Sequence, residues 1–462
     1  MVKQADVAVI GAGIGGYVAA LRARQLGATV VLIERDRIGG VCLNWGCIPT
    51  KTLLRSAEVL HLAQNGSKYG VEVGQVSLDW SAAQKRKEQT VARLTGGVKF
   101  LLEKAGVDVM AGTARFDSPT ELVVSAEQGT TRVQANRFLI ATGSRPASLP
   151  IPGLSGAGVL SSDDVVELGN LPSSVLIIGG GPIGVEFATL FRACGVRVAL
   201  VEILPRILPS LDADLGAQVE RGLKRLKVDV YAGSKVASVA AEADGHVVSV
   251  ETASGAVTVE AEKVLLAVGR RPNVEDAGLD AAGVALGKTG VGVDDHMRTS
   301  VPHIFAVGDV TGGLLLAHVA SQEGVVAAEN ALGHERTMRY DAVPSCVFSW
   351  PEVATVGLSE EQAAEKGYQV RVGRFPFRAN GKALAHGDYE GLVKIVAEAE
   401  YGQVLGVHIV GPHASDLIQE ATMALTLEAT LDEFEATVHP HPTLSEALAE
   451  AALAAQGRAL QI

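Results

Sequence analysis

Two cysteines five positions apart, Cys42 and Cys47, are the residues of this sequence whose type and spacing most suggest chemistry. They can form a redox-active pair, a structural disulfide or part of a metal site, or they can be two inert thiols. A tetrahedral zinc site would need distant ligands, because no other Cys and no His lies close by. With only Cys194 and Cys346 besides, the chain has too few cysteines for a disulfide-stapled secreted scaffold. The spacing favours redox chemistry and leaves inert thiols open.

The local sequence also bears on how the two sulfurs could meet. On a regular helix, residues five apart lie on different faces and slightly too far apart for a disulfide, whose Cα–Cα distance is about 4.4–6.8 Å. A distorted first helical turn at Gly46 would close that gap. A thiolate near a helix N-terminus is stabilised, which lowers its pKa and makes it reactive.

A histidine-rich segment near the C-terminus can supply an acid–base group. Thiol–disulfide exchange needs a group that takes a proton from one thiol and protonates another, and histidine titrates near neutral pH. Glu446 can hold the imidazole of His441 in one tautomer, and His439 is a weaker candidate for the base. The alternative is a loop whose Thr443 or Ser445 caps the following helix. Spacing alone does not decide between the two interpretations.

Two glycine-rich turns belong to a repeated unit. Residues 6–34 and 174–202 each contain an apolar strand, a glycine turn, a helical segment, a second strand and a terminal Glu. In a G-x-G-x-x-G turn, glycines permit the turn, the approach of a pyrophosphate and close helix packing, while the helix N-terminus attracts phosphate. One such match alone can be a simple tight turn, but the repeat predicts two dinucleotide-binding units. The residues expected to bind a dinucleotide are Gly11, Gly13, Gly16 and Glu34 in the first copy and Gly179, Gly181, Gly184 and Glu202 in the second.

Charge and hydropathy exclude several classes of partner. The net charge of −12 disfavours nucleic acid and anionic membranes, both of which attract positive surfaces. No uninterrupted apolar run is long enough for a membrane span, and no signal peptide precedes the first strand. We therefore expect a cytoplasmic protein without a metal. In the second unit, Glu202 would repel a 2′-phosphate and so favours NAD over NADP, although Arg206 lies nearby.

The motifs together resemble one enzyme family. The stretch CLNWGCIPTK resembles the redox-disulfide signature of the pyridine nucleotide–disulfide oxidoreductases. The resemblance extends over essentially the whole chain, through Ala141-Thr142-Gly143, Gly308-Asp309 and the histidine-rich segment His439-Pro440-His441-Pro442. It implies an α/β fold with two Rossmann-like dinucleotide-binding domains, for FAD and NAD, and a C-terminal α+β dimerisation domain. The implied boundaries are 1–146 for the FAD-binding domain, 147–268 for the NAD-binding domain, 269–337 for a central domain that returns to the FAD-binding domain, and 338–462 for the dimerisation domain.

The resemblance also implies a role for individual residues. Cys47 would lie nearest the flavin, Cys42 would exchange with substrate sulfur, and Lys51 would lie beside the redox nitrogen of the flavin, paired with Glu186. His441, held by Glu446, would be the base and would come from the partner subunit, so that a homodimer is needed. The implied cofactor contacts are Gly11, Gly13, Gly16, Glu34, Gly40, Cys42, Lys51, Ala114, Gly143, Asp309 and Ala317 for FAD, and Gly179, Gly181, Gly184, Glu202, Val236 and Gly269 for NAD.

Within the family, CLNWGCIPTK is most similar to the branch that oxidises protein-bound dihydrolipoamide and reduces NAD. The implied partners are a lipoyl-bearing carrier domain and the acyltransferase core of a 2-oxo acid dehydrogenase complex, or a glycine cleavage system. A glutathione-type reductase is an alternative that usually uses NADPH, against which Glu202 argues. A mercuric reductase would carry a C-terminal cysteine pair, and none follows Cys346. A non-catalytic complex subunit would not need the intact cysteine pair and His441.

Overall fold

The structure is a computed structural model that describes residues 2–154, 156 and 158–462. A largely parallel sheet organises the N-terminal part of the chain. Its inner strand residues Val7–Ile10 are buried, as expected for strands covered on both faces. Across the sheet the strands run Asp108–Ala111, Val30–Glu34, Val2–Ile10, Gly129–Ile140, Glu121–Ala126 and Thr113–Ser118, and Ile304–Ala306 returns to pair with Gly129–Ile140.

A second parallel sheet repeats this arrangement. The central pair joins Ser174–Ile178 to Arg197–Glu202, in the same relation as Val2–Ile10 and Val30–Glu34 in the first sheet. The predicted repeat of strand, glycine turn, helix and strand is therefore confirmed. The strand order is Asp229–Ala232, Arg197–Glu202, Ser174–Ile178, Lys263–Leu266 and Val159–Ser161.

The remaining strands are antiparallel. One small sheet joins Lys235–Glu242, Gly245–Thr252 and Gly255–Ala261, and a short ribbon joins Ser144–Pro146 to Arg270–Pro272. The C-terminal part has its own antiparallel sheet, which agrees with the α+β expectation for this region. Its strands run Ser345–Val347, Val353–Gly357, Val404–Val410, Leu392–Glu398 and Val370–Pro376.

Helices cover the sheets and link them. The α-helices are Ile14–Gln25, Gly40–Asn44, Cys47–Gln64, Trp80–Lys104, Ser162–Val165, Pro182–Ala193, Ala213–Arg225, Leu279–Ala282, Ala317–Ala331, Glu360–Glu365, Gly381–His386, Ala414–Thr426, Leu431–Ala436 and Glu446–Ala455. Short 3₁₀ turns span Gly66–Tyr69, Gly308–Thr311 and Phe377–Ala379.

The helix Cys47–Gln64 lies between the two parallel units. Its buried Leu53 and Ala57 belong to the same hydrophobic core as Val185 and Ala188 of the helix Pro182–Ala193. The helix that begins with a cysteine therefore packs on the helix that follows the second glycine turn. This packing fixes the cysteines relative to both glycine turns.

A buried ion cluster ties the C-terminal sheet to the second parallel unit. The Lys394 side chain is only 3% exposed, and its Nζ donates to both oxygens of Asp212, to Asp214 and to Glu360 at 2.8–2.9 Å. Burial opposes the charged ammonium, but the three carboxylates outweigh burial and raise the pKa of Lys394. The pKa values of the three carboxyl groups are lowered.

Some element ends differ from the sequence-based expectation. The Ala-rich sequence 447–460 has helical patterning that predicts a helix, and the observed helix begins at Glu446. It ends at Ala455, earlier than the pattern predicts, because Gly457 takes a left-handed conformation with φ of 70°. The apolar sequence 304–309 predicts a strand that ends in Gly308-Asp309, whereas the observed strand ends at Ala306 and the Gly-Asp pair lies in a 3₁₀ turn. The four domain boundaries stay a prediction.

Candidate active site

Cys42 and Cys47 lie on either side of a break between two helices. Cys42 is in the short helix Gly40–Asn44, and Cys47 is the first residue of Cys47–Gln64. The backbone leaves the helical region at Gly46, with φ −118° and ψ −109°. The distortion expected at Gly46 is confirmed, and it allows the two free thiols to hydrogen-bond to each other.

The two thiols differ in acidity. The hydrogen bond from Cys42 lowers the pKa of Cys47 to about 7, against the effect of burial and with help from the positive charge of Lys51. The same hydrogen bond, with burial, raises the pKa of Cys42. At neutral pH the pair is therefore poised as a thiolate on Cys47 and a donating thiol on Cys42.

An ion pair beside the cysteines joins three parts of the chain. Lys51 Nζ donates to Oε1 and Oε2 of Glu186 at 2.9 and 2.8 Å, and the Phe348 backbone N–H donates to Glu186 Oε1 at 3.1 Å. The ammonium also lies 4.5 Å from the centre of the Phe348 ring. Sequence reasoning missed Phe348, since an aromatic residue after a short apolar strand is not distinctive.

The glycines of the two turns divide into three geometric roles. The first of each turn has a positive φ, 101° at Gly11 and 110° at Gly179. At the third, a Cβ would lie 1.9 Å from the carbonyl oxygen of the first, so only glycine fits. Around the second there is room: a Cβ on Gly13 would have no neighbour closer than 3.9 Å, and a Cβ on Gly181 none within 4 Å. That space suits the backbone approach of a dinucleotide.

The carboxylate that ends each second strand is held against its own glycine turn. Glu34 accepts the N–H groups of Ala12 at 2.6 Å and Asp36 at 2.8 Å. Glu202 accepts those of Gly180 at 2.6 Å and Leu204 at 2.8 Å. The two carboxylates thus occupy equivalent positions, each with its remaining lone pairs available to a ligand hydroxyl.

Arg206, the residue that complicated the choice between NAD and NADP, is engaged elsewhere. Its guanidinium donates to both oxygens of Glu361 at 2.8 and 2.9 Å. Because Glu361 neutralises the guanidinium of Arg206, this charge is not free to bind a 2′-phosphate, and NAD stays favoured over NADP.

Asp309, another expected cofactor contact, belongs to a polar network. Asp309 accepts the hydroxyl of Ser144 at 2.5 Å, and the Ser144 hydroxyl in turn accepts from Arg270. Gly143 and Gly269 have positive φ and open space at the Cβ position, and Ala317 begins the helix Ala317–Ala331.

Three of the expected cofactor contacts leave less space for a nucleotide. Ala114 and Val236 are buried, with side chains packed in hydrophobic cores, so that only their backbone atoms can serve a nucleotide. Gly40 has a φ of 57°, and a Cβ there would lie 2.6 Å from the Cα of Gly13. The segment that carries Cys42 therefore touches the first glycine turn through two glycines.

The histidine segment forms two separate His–Glu pairs. His441 Nδ1 lies 2.8 Å from Glu446 Oε1, and Glu446 also accepts the N–H of Thr443 at 2.8 Å. Burial opposes ionisation of Glu446, but Thr443 and His441 lower its pKa. The His441 side chain is 78% exposed, and among the described residues no hydrogen bond joins it to the cysteine pair. The second pair, His439 with Glu420, was not foreseen, because nothing in the spacing links the two residues.

The described residues offer neither a metal-ion site nor a membrane-spanning helix. They contain no group of three or more His, Cys, Asp or Glu side chains placed to hold a metal ion. In the same part of the chain, no helix combines the length and apolar character that a membrane crossing requires.

Known proteins are similar to this chain over most of its length. Residues 5–324 match the pyridine nucleotide-disulphide oxidoreductases, and residues 343–452 match the dimerisation domain of that family. A dihydrolipoyl dehydrogenase from Bacillus subtilis is 42% identical over the full length of both chains. One from Mycobacterium bovis is 44% identical, covering 96% of this chain and 97% of the relative.

Solved structures agree with this assignment and confirm the predicted fold class. LpdA from Mycobacterium tuberculosis has a TM-score of 0.89 at 30% identity, covering 97% of this chain and 99% of its own. The HOCl-induced flavoprotein disulfide reductase RclA from Escherichia coli, solved as a Cu(II) complex, has a TM-score of 0.88 at 28% identity with the same coverage. This chain therefore belongs to the pyridine nucleotide-disulphide oxidoreductase family.

Proposed function

We propose that this protein oxidises protein-bound dihydrolipoamide to lipoamide and reduces NAD, the reaction for which its full-length relatives are named. The observation that carries the proposal is the cysteine pair itself. One thiol has a lowered pKa at a helix N-terminus, beside a cation held by Glu186. Such an arrangement stabilises the thiolate that thiol–disulfide exchange requires.

The two glycine turns are suited to two dinucleotides. The open space beside Gly13 and Gly181, and the carboxylates of Glu34 and Glu202 fixed under each turn, supply phosphate and ribose contacts. We assign FAD to the first turn because it adjoins the cysteines, and NAD to the second. When bound, FAD supplies a two-electron carrier between the dithiol and the nicotinamide. The other proposed contacts are Gly11, Gly16, Gly40, Lys51, Ala114, Gly143, Asp309 and Ala317 for FAD, and Gly179, Gly184, Val236 and Gly269 for NAD.

The thiol chemistry divides between the two cysteines. In the oxidised enzyme a substrate thiolate attacks the sulfur of Cys42, and the Cys42–Cys47 bond breaks with Cys47 leaving as a thiolate. The second substrate thiol then displaces Cys42, which closes the lipoamide disulfide and leaves the enzyme as a dithiol. Cys47 suits the leaving role because its pKa is the lower of the two.

Protons are handled by the His441–Glu446 pair. The carboxylate fixes Nδ1 of His441, so that Nε2 is left to accept a proton from a substrate thiol. The high exposure of His441, which has no hydrogen bond to its own cysteine pair among the described residues, supports a site completed by His441 of the partner subunit in a homodimer.

The expected partners follow from this substrate. A lipoyl-bearing carrier domain brings the dithiol, and the enzyme would join the acyltransferase core of a 2-oxo acid dehydrogenase complex or serve a glycine cleavage system. The cytoplasmic location stays a prediction.

A comparison of substrates tests the proposal. The purified FAD-loaded dimer should reduce NAD with dihydrolipoamide and should be much slower with NADP, and it should reduce neither glutathione disulfide nor mercuric ion at a comparable rate with NADH. Cys47→Ser should abolish the lipoamide reaction, while Cys194→Ser, which alters a free thiol outside the pair, should not. Full lipoamide activity in Cys47→Ser would show that the mechanism is wrong.

A further inference from the structure

The His439–Glu420 pair differs from the His441–Glu446 pair in burial and in the separation of its two residues along the chain. The His439 side chain is 7% exposed, and its Nε2 lies 2.8 Å from Oε1 of Glu420, which is 19 residues earlier on the helix Ala414–Thr426. The His441–Glu446 pair, by contrast, is local and outward-facing. One pair presents an imidazole, and the other attaches the segment to the body of the protein.

Both ring nitrogens of His439 face acceptors. Nδ1 lies 3.0 Å from the carbonyl oxygen of Thr437, and Nε2 faces the Glu420 carboxylate. A carbonyl and a carboxylate cannot donate, so the imidazolium form, which carries hydrogen on both nitrogens, satisfies both contacts. The hydrogen bond to Glu420 raises the pKa of His439, in keeping with this charge. The contact is therefore an ion pair with one largely buried member, and breaking it leaves that charge uncompensated.

Among the described residues, His439 is the one member of 437–442 whose side chain hydrogen-bonds to an element other than the segment itself and its two flanking helices. Beyond the stretch, Asn380 donates to the carbonyl oxygen of Thr443 at 3.0 Å. From Glu435 to Pro442, every residue is exposed except His439. The stretch has no regular structure between the helix that ends at Ala436 and the one that begins at Glu446. The anchor is only two residues from His441, a chain length of about 7 Å. Loss of the anchor would allow the His441 imidazole to move by an ångström or more.

We propose that His439 and Glu420 are positioning residues, an ion pair that anchors the segment presenting His441 as the base. The inference rests on the proposed function, because it assumes that His441 handles protons in the lipoamide reaction. A displacement of about 1 Å in a reacting group can slow a reaction by about 100-fold, so a large effect is expected from residues that touch no substrate.

The test uses the FAD-loaded dimer and two reactions. His439→Ala should lower kcat for dihydrolipoamide by about 10- to 100-fold. Oxidation of NADH by ferricyanide, which uses no substrate thiol, should be unchanged in the same variant. Amide hydrogen exchange should become faster across residues 437–445. His334→Ala, which removes an exposed histidine outside this segment, is the control and should change none of these.

A double-variant cycle separates positioning from general stability. In a His441→Ala background, His439→Ala should have no further effect on the lipoamide rate, because there is no base left to position. Glu420→Gln keeps a hydrogen-bond acceptor but removes the charge, so it should lower the lipoamide rate less than His439→Ala does. If His439→Ala fails to dimerise, the lipoamide rate of Glu420→Gln tests the anchor on its own.

Distinct results would overturn the two proposals. Full lipoamide activity in both His439→Ala and Glu420→Gln would refute the anchor, as would an equal loss in the His441→Ala background or a parallel loss of the ferricyanide reaction. Full lipoamide activity in His441→Ala itself would instead refute the proposed function.

Discussion

The acidity of Cys47 should depend on whether residue 42 can donate a hydrogen bond. The bond from Cys42 is the largest contribution that lowers the pKa of Cys47 to about 7. Cys42→Ala removes the donor and leaves the Lys51–Glu186 pair in place. Cys42→Ser keeps a hydroxyl donor at nearly the same position and is the matched control.

The size of the effect follows from the strength of a hydrogen bond to a charged group. Such bonds contribute about 1.5–3 kcal/mol, and a pKa change of one corresponds to about 1.4 kcal/mol. Cys42→Ala should therefore raise the pKa of Cys47 to about 8–9. At pH 7.5 the thiolate fraction would fall from about three quarters to about one quarter or less.

Alkylation measures this fraction directly, because only the thiolate reacts. The rate of iodoacetamide addition at Cys47 would be followed between pH 5 and 10 by mass spectrometry of the peptide that contains it. This readout separates Cys47 from Cys194 and Cys346, whose pKa values are raised by burial to about 12 and about 11. If the Ala and Ser variants titrate at the same pH, the hydrogen bond is not the cause of the acidity, and the reasoning fails.

Removing Lys394 leaves the buried Asp212 carboxylate without its cation, whereas Asp214 and Glu360 keep Arg374. Lys394→Met should therefore lower the free energy of unfolding by about 3–5 kcal/mol in urea denaturation, and Met at the exposed Lys366 should have little effect. Because the lysine pKa is raised and its partners' pKa values are lowered, this loss should be largest between about pH 5 and 10, and should shrink as pH falls through the carboxyl pKa values or rises through that of the lysine. A pH-independent difference would contradict the assignment. Gly181→Ala should fold normally but raise KM for NAD by about 10-fold or more, since its methyl group would fill the space left for the nucleotide. Gly184→Ala should instead disrupt the turn, with a lowered thermal midpoint, because the added carbon would lie 1.9 Å from the Gly179 oxygen.

The features that the sequence predicts well are local ones. The glycine turns could be identified because the strand, turn, helix and terminal Glu must follow one another within about 30 residues for the geometry to work. The break at Gly46 could likewise be inferred from two neighbours that a regular helix would separate. His441 and Glu446 are five residues apart, so that their pairing also lies within one segment.

Contacts between distant segments were beyond the same reasoning. The bond of His439 to Glu420, the position of Phe348 beside Glu186 and the burial of Lys394 depend on packing between helices and sheets that no local spacing encodes. The ends of elements were missed for a different reason. A few tenths of a kcal/mol in propensity decide whether a helix continues past Ala455, and a glycine with positive φ two residues later ends it.

The position of Glu186 suggests why the redox pair and the second nucleotide turn are built as one unit. Glu186 lies two residues after Gly184, on the helix whose N-terminus forms that turn, yet its carboxylate holds the lysine beside Cys47. A shift of this helix that moved the nucleotide would also move the charge that stabilises the thiolate. The backbone N–H of Phe348, in the C-terminal part of the chain, donates to the same carboxylate, so Glu186 is held by both Lys51 and Phe348. Electron transfer between a dithiol and a dinucleotide requires fixed distances, and a buried carboxylate shared by three segments supplies them without a covalent link.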